Sequence, residues 1–313
     1  MFFGKYTFQC QFESPAMLPR FKGSTFRGVF GHAFKKVVCV LKRQVCETCI
    51  LKSRCLYAFV FESAAAHQEE VRTTSPPHPF VIEPPLSEQT FFPAGSVLSF
   101  DLLLFGKVNH DLPYFIYAID SMGQIGIGKT VDGQKGKFTL TSVFSNGNLI
   151  YSHTDKILRT PHTQEDELAY PVQPVNILTE PERVTMVFET PLRIKFENRL
   201  TSELPFHVLV RAMLRRADSL FASFAQSQCP SIDYRALLQE AEQVRITDNQ
   251  LKWFDWKRYS IRQEQQMLMG GLTGSVTYEG NIDRFMQLIE FCSTVHIGKQ
   301  TSFGLGKFSV LKS

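Results

Sequence analysis

VHIGKQTSFGLGKFSVLKS, residues 295–313, is the stretch from which the fold can be read. It holds Gly298, Gly304 and Gly306, with Lys299, Lys307 and Lys312 beside them and no acid after Glu290. Glycine admits left-handed backbone and lets N–H groups come close to an anion, and lysine supplies neutralising charge. The expectation is a glycine loop that leaves a helix and enters a terminal strand. Gly298, Lys299, Gly304 and Gly306 are then candidate contacts to a nucleic-acid backbone.

Working outward, the loop closes a unit that the chain contains twice. LTGSVTYEG (272–280) reads as a strand, NIDRFMQLIEFCSTV (281–295) as a helix, and the glycine loop leads into FSVLKS. Earlier, SVLSFDLLLFG (96–106) reads as a strand, PYFIYAIDSM (113–122) as a helix, and GQIGIGKTVDGQKGKF (123–138) leads into FTLTSVF. The front halves match as well: KYTFQCQF (5–12) precedes a helix over 24–42, and RVTMVFETPLRIKF (183–196) precedes one over 206–226. Strand, helix, strand, strand, helix, strand is the ferredoxin-like order. The fold class expected is α+β, two ferredoxin-like (RRM-like) domains in tandem.

A chain of 313 residues suits two domains. The prolines 161, 171, 174 and 181 and the acidic run 165–167 mark the boundary, since proline fits neither ladder nor helix interior. The domains are therefore placed at 1–160 and 182–313, with a linker over 161–181. A further Pro-, Ser- and Thr-rich loop spans 64–85. Net charge is only +4, which excludes a histone-like polycation. The distribution says more: from Ser14 to Cys46 there is no acid, but Arg20, Lys22, Arg27, Lys35, Lys36, Lys42 and Arg43 are present. Such a stretch reads as a polyanion surface or as a solvated basic face. No signal peptide and no membrane-length apolar run is visible, and seven cysteines, four of them clustered, fit a reducing cytoplasm.

The helix over 24–42 is the richest element. Ser24 is a candidate N-cap, and Phe26, Phe30, Ala33, Val37 and Leu41 recur at helical spacing as a core face. His32, Lys35, Lys36 and Cys39 share another face. Neighbouring lysines favour a neutral imidazole able to accept a proton; the plain alternative is a surface histidine among solvated lysines. Cys39, Cys46, Cys49 and Cys55 form C-x6-C-x2-C-x5-C, four thiolates suited to structural zinc, with an iron–sulfur cluster or four reduced thiols as alternatives. LKWFDWKRYSIRQ (251–263) interleaves Trp253, Phe254, Trp256 and Tyr259 with Lys252, Lys257, Arg258 and Arg262, a pattern suited to stacking on unpaired bases; a strand with core aromatics reads equally well for Trp253 and Trp256. Arg211, Arg215 and Arg216 lie on a helix and read equally as solvated. GQIGIGKT (123–130) matches the phosphate-loop pattern, but a true one leaves a strand and opens a helix, the reverse of the context here.

FKGSTFRGVFGHAFKKVVC, CETCILKSRCLYAFVFE, PHPFVIEPP, ETPLRIKF, WFDWKRYSIRQ, MGGLTGSVTYEG and the final glycine loop together resemble the CRISPR repeat-processing endoribonucleases of the RAMP superfamily, in a subgroup with a cysteine cluster. The resemblance implies cleavage of precursor crRNA without a catalytic cofactor. A 2′-hydroxyl attacks the adjacent phosphate, leaving a 2′,3′-cyclic phosphate and a 5′-hydroxyl. It implies His32 as general base with Lys35 or Lys36 beside it, a tyrosine that Tyr6 or Tyr57 would supply, and His296 in reserve. Arg20, Lys22, Arg27, Arg258 and Arg262 become RNA contacts. The partners implied are CRISPR repeat RNA and a CRISPR effector complex, with no membrane; a homodimer is left open. The competing reading is a non-catalytic crRNA-binding RAMP subunit.

Overall fold

The computed structural model describes residues 1–42, 45–62, 76–159, 166–171, 182–196, 199–200, 204–225, 233–260 and 265–312. The chain divides into two compact units: Met1–Leu168 with Ala222–Gln226, and Ala169–Phe221 with Ser227–Ser313.

In the first unit, β1 (Phe2–Phe12) buries Tyr6, Phe8, Cys10 and Phe12 and turns Thr7, Gln9 and Gln11 to the other face. That is the two-residue period of a strand with one face on a core. The helices that cover this face are α1 (Gly23–Val38), the short α2 (Leu56–Phe61) and α3 (Leu112–Ile125). The strands are β2 (Phe80–Glu83), β3 (Val97–Phe105), the hairpin β4 (Ile127–Val131) and β5 (Gln134–Gly136), then β6 (Phe138–Ser145) and β7 (Asn148–Ser152). The antiparallel sheet runs β2-β3-β1-β6-β7, with Phe8 opposite Phe100 and Val143. With β2, β3 and β6 as second, third and fourth strands, this is the ferredoxin-like arrangement. The core is aromatic: Phe34 of α1 lies 4.8 Å from Phe115 of α3, and Phe30 stacks on the same ring at 5.8 Å. Truncating one such ring to alanine typically costs roughly 3–5 kcal/mol.

The second unit repeats the plan. Its elements are β8 (Glu182–Leu192), α4 (Phe206–Phe224), α5 (Tyr234–Ala241), β9 (Arg245–Asn249), β10 (Lys252–Ser260), β11 (Gln265–Gly280), α6 (Asp283–Val295) and β12 (Phe308–Lys312). The sheet order β9-β11-β8-β12 again places the first strand between the third and fourth. β10 extends β11 beyond the Leu192–Leu272 pair, as a ladder that continues to Ser260 opposite Gln265.

Several expectations are corrected. Helix α1 begins at Gly23 behind Lys22, so Ser24 lies inside it and is not its N-cap. It ends at Val38, where Cys39 turns extended; Leu41 is 39% exposed, because no core lies beneath the last expected turn. Phe34, absent from the expected core face, is fully buried. Within the expected linker, Asp166–Glu167 pairs with Phe2–Phe3, and the Leu168 N–H donates to Met1 O at 2.9 Å. Residues 160–165 and 172–181 lie outside the described residues. GQIGIGKT closes helix α3 and enters a strand, with Gly126 at φ +80° between them, so it occupies in the first unit the place of the C-terminal loop in the second.

Candidate active site and glycine-rich loop

Helix α1 is held by one face and open on the other. Phe26, Phe30, Ala33 and Phe34 are buried, while His32 and Lys36 are exposed and Lys35 is half-buried. His32 thus stands at the surface of a rigidly backed helix, with Lys35 and Lys36 within one turn. Lys35 Nζ lies 5.2 Å above the ring of Tyr57 on α2, and that ring stacks on Phe61 at 5.2 Å. Of the two tyrosine candidates, Tyr57 therefore belongs to this face. Tyr6 is buried on β1, with its hydroxyl donating to Asn109 Oδ1 at 3.0 Å.

The basic residues before and along α1 separate into different roles. Arg20 is exposed. Lys22 is 0% exposed; its Nζ donates to Ser87 O at 2.6 Å and Arg20 O at 3.1 Å, and lies 5.8 Å from the Phe92 ring. Burial pushes its ammonium below the usual lysine range, with nearby Glu88 acting the other way. Lys22 therefore fastens the entry to α1 instead of facing RNA. Arg27 reaches His78 Nε2 at 3.0 Å and lies 5.4 Å over Phe61. His78 Nδ1 lies 3.0 Å from Val60 O, and a carbonyl can only accept, so Nδ1 carries the proton and Nε2 accepts from Arg27. Sequence reasoning missed His78, whose only signal was its place in PHPFVIEPP.

The clustered cysteines follow helix α1 and border two short 3-10 turns. Cys46 and Cys49 flank a single 3-10 turn, with the Cys49 N–H directed at Cys46 O at 3.4 Å. All four clustered cysteines are half-buried free thiols. Among the described residues no three His, Cys, Asp or Glu side chains are grouped so as to hold a metal ion. The donor set has the chemistry for zinc, but the tetrahedron is not assembled in this structure.

The glycine loop is a folded, largely buried object. Gly298, Gly304 and Gly306 have φ of +83°, +81° and +72°. A Cβ at Gly306 would lie 1.8 Å from Ile297 O and one at Gly298 2.7 Å from Arg193 O, so each position requires glycine. The Gly304 N–H donates to Thr301 O at 2.7 Å and the Gly306 N–H to Pro191 O at 3.1 Å. Those two amides are occupied, which corrects the expectation that they face a phosphate. Thr190 crosses beneath: its Oγ1 donates to Gly304 O at 2.8 Å and accepts from the Lys307 N–H at 2.8 Å. Lys299 is exposed, and its N–H is anchored on Arg193 O at 2.9 Å.

Two buried residues brace this loop from below. His296 is 0% exposed, and its Nδ1–H donates to Leu305 O at 3.0 Å. It is a loop brace, which removes it as the reserve base. Arg216 of α4 is buried and donates to Val295 O at 2.8 Å and His296 O at 3.1 Å, where α6 ends. A cation at a helix C-terminus satisfies carbonyls that have no intrahelical partner. In β10, Trp253 is 38% and Phe254 43% exposed, so these aromatics are not core. The side chains of Trp256, Arg258 and Tyr259, and residues 261–264 with Arg262, lie outside the described residues. No helix among the described residues is long and apolar enough to cross a membrane.

Comparison with known proteins bears on the fold that carries these residues. An uncharacterized protein of Archaeoglobus fulgidus is 23% identical over 301 residues, covering 94% of this chain and 92% of its own length. A Cas6 product complex superposes with a TM-score of 0.56 at 14% identity, over 99% of this chain and 100% of that one. Thermus thermophilus Cas6 gives 0.54 at 13% identity, over 99% of this chain and 98% of that one. A chain of a partial Cas6-RT-Cas1–Cas2 complex gives 0.57 at 14% identity over 100% of this chain, which spans only 46% of that longer polypeptide. At such identities these likenesses speak to the fold. Residues 1–163 match the family profile described as AF_1859_N, N-terminal domain, and residues 186–308 match CRISPR-associated endoribonuclease Cas6. The chain belongs to the AF_1859_N family, and residues 186–308 behind that N-terminal domain match the model of the CRISPR-associated endoribonuclease Cas6.

Proposed function

We propose that this chain binds CRISPR repeat RNA and cleaves it by intramolecular attack of a 2′-hydroxyl. The observation that carries the reading is His32, exposed on a helix whose other face is packed into the core, with Lys35 and Lys36 within one turn. In the reaction the 2′-oxygen bonds to the adjacent phosphorus and the bond from phosphorus to the 5′-oxygen breaks. His32 takes the 2′ proton, a proton reaches the leaving 5′-oxygen, and a lysine ammonium stabilises the extra charge on phosphorus. The products are a 2′,3′-cyclic phosphate and a 5′-hydroxyl. Of the lysines, Lys35 is held on Tyr57, which suits a fixed electrostatic role, while the exposed Lys36 suits phosphate contact. Arg20 and Lys299 are the exposed cations assigned to the RNA backbone. Arg258 and Arg262 are assigned with them, on the sequence pattern of LKWFDWKRYSIRQ. The four cysteines are assigned one structural zinc on the chemistry of their donors, as a member of the cysteine-bearing subgroup would have. A cytoplasmic location and association with a CRISPR effector complex belong to the same reading.

The test is single-turnover cleavage of repeat RNA in EDTA, with wild type and His32→Ala at equal RNA occupancy. Loss of the base typically lowers the rate by about 10²–10⁴ with little change in affinity, and a single 2′-deoxy nucleotide at the cut site blocks wild type. Wild-type rates for His32→Ala remove His32 from the role. Binding without cleavage by wild type assigns the chain to the non-catalytic RAMP subunits.

A further inference from the structure

Helix α1 contains a glycine that its own structure does not explain. Gly28 sits inside Gly23–Val38, is exposed, and has none of the positive φ values that call for glycine. A Cβ built there would meet nothing within 4 Å. Gly31, three residues on, is different, because its Cβ would come 3.0 Å from the Phe61 ring, so packing explains that one. Glycine in a helix interior is unfavourable relative to alanine, so an open exposed position should not keep it without a reason.

The reason lies one turn away. Gly28 precedes His32 by four residues, which puts the two on one face. Helical side chains lean toward the N-terminus, so the His32 imidazole leans over the turn that carries Gly28. Ser24, four residues earlier, and Lys35, seven later, border the same strip. The exposed strip beneath the imidazole is therefore bare backbone at its centre.

We propose that Gly28 is a substrate-clearance residue: its missing side chain lets a ribose–phosphate unit of single-stranded RNA lie against helix α1 and bring its 2′-hydroxyl to His32. The proposal rests on the reading of His32 as the general base. The occupant is a sugar and phosphate, because the residues bordering the strip, Ser24, His32 and Lys35, offer a hydroxyl, an imidazole and a cation to a ribose hydroxyl and a phosphate.

The experiment compares Gly28→Ala, Gly28→Leu and wild type in thermal unfolding, affinity for a 2′-deoxy-blocked repeat RNA, and single-turnover cleavage. Gly28→Ala should unfold about 2–4 °C higher, yet cleave at least about tenfold more slowly at saturating RNA, as expected when reacting atoms are displaced. Gly28→Leu should also bind about tenfold more weakly. Opposite movement of stability and activity is the signature, since a structural glycine would lose both together. A Gly28→Ala protein that is less stable, or that cleaves and binds as wild type does, overturns the proposal. If wild type binds but does not cut, the His32 reading fails and the affinity of Gly28→Leu decides: tenfold weaker binding supports clearance, and unchanged binding overturns it. If wild type does not bind repeat RNA, both fall.

Discussion

Arg216→Ala should be among the most damaging single changes to the second unit, although no substrate touches that side chain in the proposed reaction. The guanidinium donates to two buried carbonyls, Val295 O at 2.8 and 3.3 Å and His296 O at 3.1 Å. Each buried acceptor left without a donor costs roughly 1–3 kcal/mol, so about 2–6 kcal/mol for the pair. Burial already pushes the Arg216 guanidinium down to about 10, which means that desolvation offsets part of what the bonds contribute. Arg216→Met removes the same donors and charge but keeps an apolar chain to fill the buried space, and should lose less than Arg216→Ala. Urea unfolding followed by circular dichroism measures both, with the slope m checked for constancy. At about 2–4 °C per kcal/mol, Arg216→Ala should lower the melting temperature by roughly 10 °C. Because Val295 and His296 lead directly into the glycine loop, repeat RNA affinity should fall with it. A change below about 0.5 kcal/mol, the size of an ordinary surface substitution, would refute the bracing role.

Lys299→Ala should weaken repeat binding while leaving unfolding unchanged, and the slope of log affinity against log salt should become shallower by about 0.7–0.9, one released counterion; an unchanged slope removes Lys299 from the backbone contacts. Freshly purified protein should contain one zinc per chain by elemental analysis, and replacing Cys46 and Cys49 should abolish it and lower the melting temperature; iron with labile sulfide reassigns the metal, and neither metal ends the assignment. Stability should fall as pH rises above about 9, because burial raises the thiols of Cys10 and Cys292 well above their ordinary value. The unfolded chain releases those protons near pH 9 and the native one does not, so each thiol removes up to about 1.4 kcal/mol per pH unit. Cys10→Ala or Cys292→Ala should flatten that slope, and an unaltered slope in both refutes the argument.

The tandem architecture was legible because it rests on local signals. Alternation in KYTFQCQF and RVTMVFETPL, helical spacing of Phe26, Phe30 and Ala33, and glycine runs at matching places in both halves are short-range patterns with a fixed physical meaning. The tandem order of strands and helices, the inverted context of GQIGIGKT and the exposed His32 with its lysines could all be anticipated from them. Errors of boundary, such as the helix expected to reach Leu41, came from apolar spacing that continues past the point where a core exists to receive it.

Tertiary structure alone decided what each polar residue does. In the sequence Lys22, Arg27 and Lys36 are equivalent cations near one another; only the fold shows Lys22 buried on two carbonyls, Arg27 on His78 and Lys36 in the open. Arg216 read equally as an RNA contact or a solvated helix residue and is a buried brace, and His296 read as a spare base and is a buried strut. Gly304 and Gly306 announce a special backbone in the sequence, but whether their N–H groups face a ligand or the protein depends on Thr301 and Pro191, and Pro191 comes from a strand more than a hundred residues away. Sequence pattern carries backbone periodicity, which is local. The partner of a charge or a donor is set by contacts distant in the chain, and no local spacing encodes them.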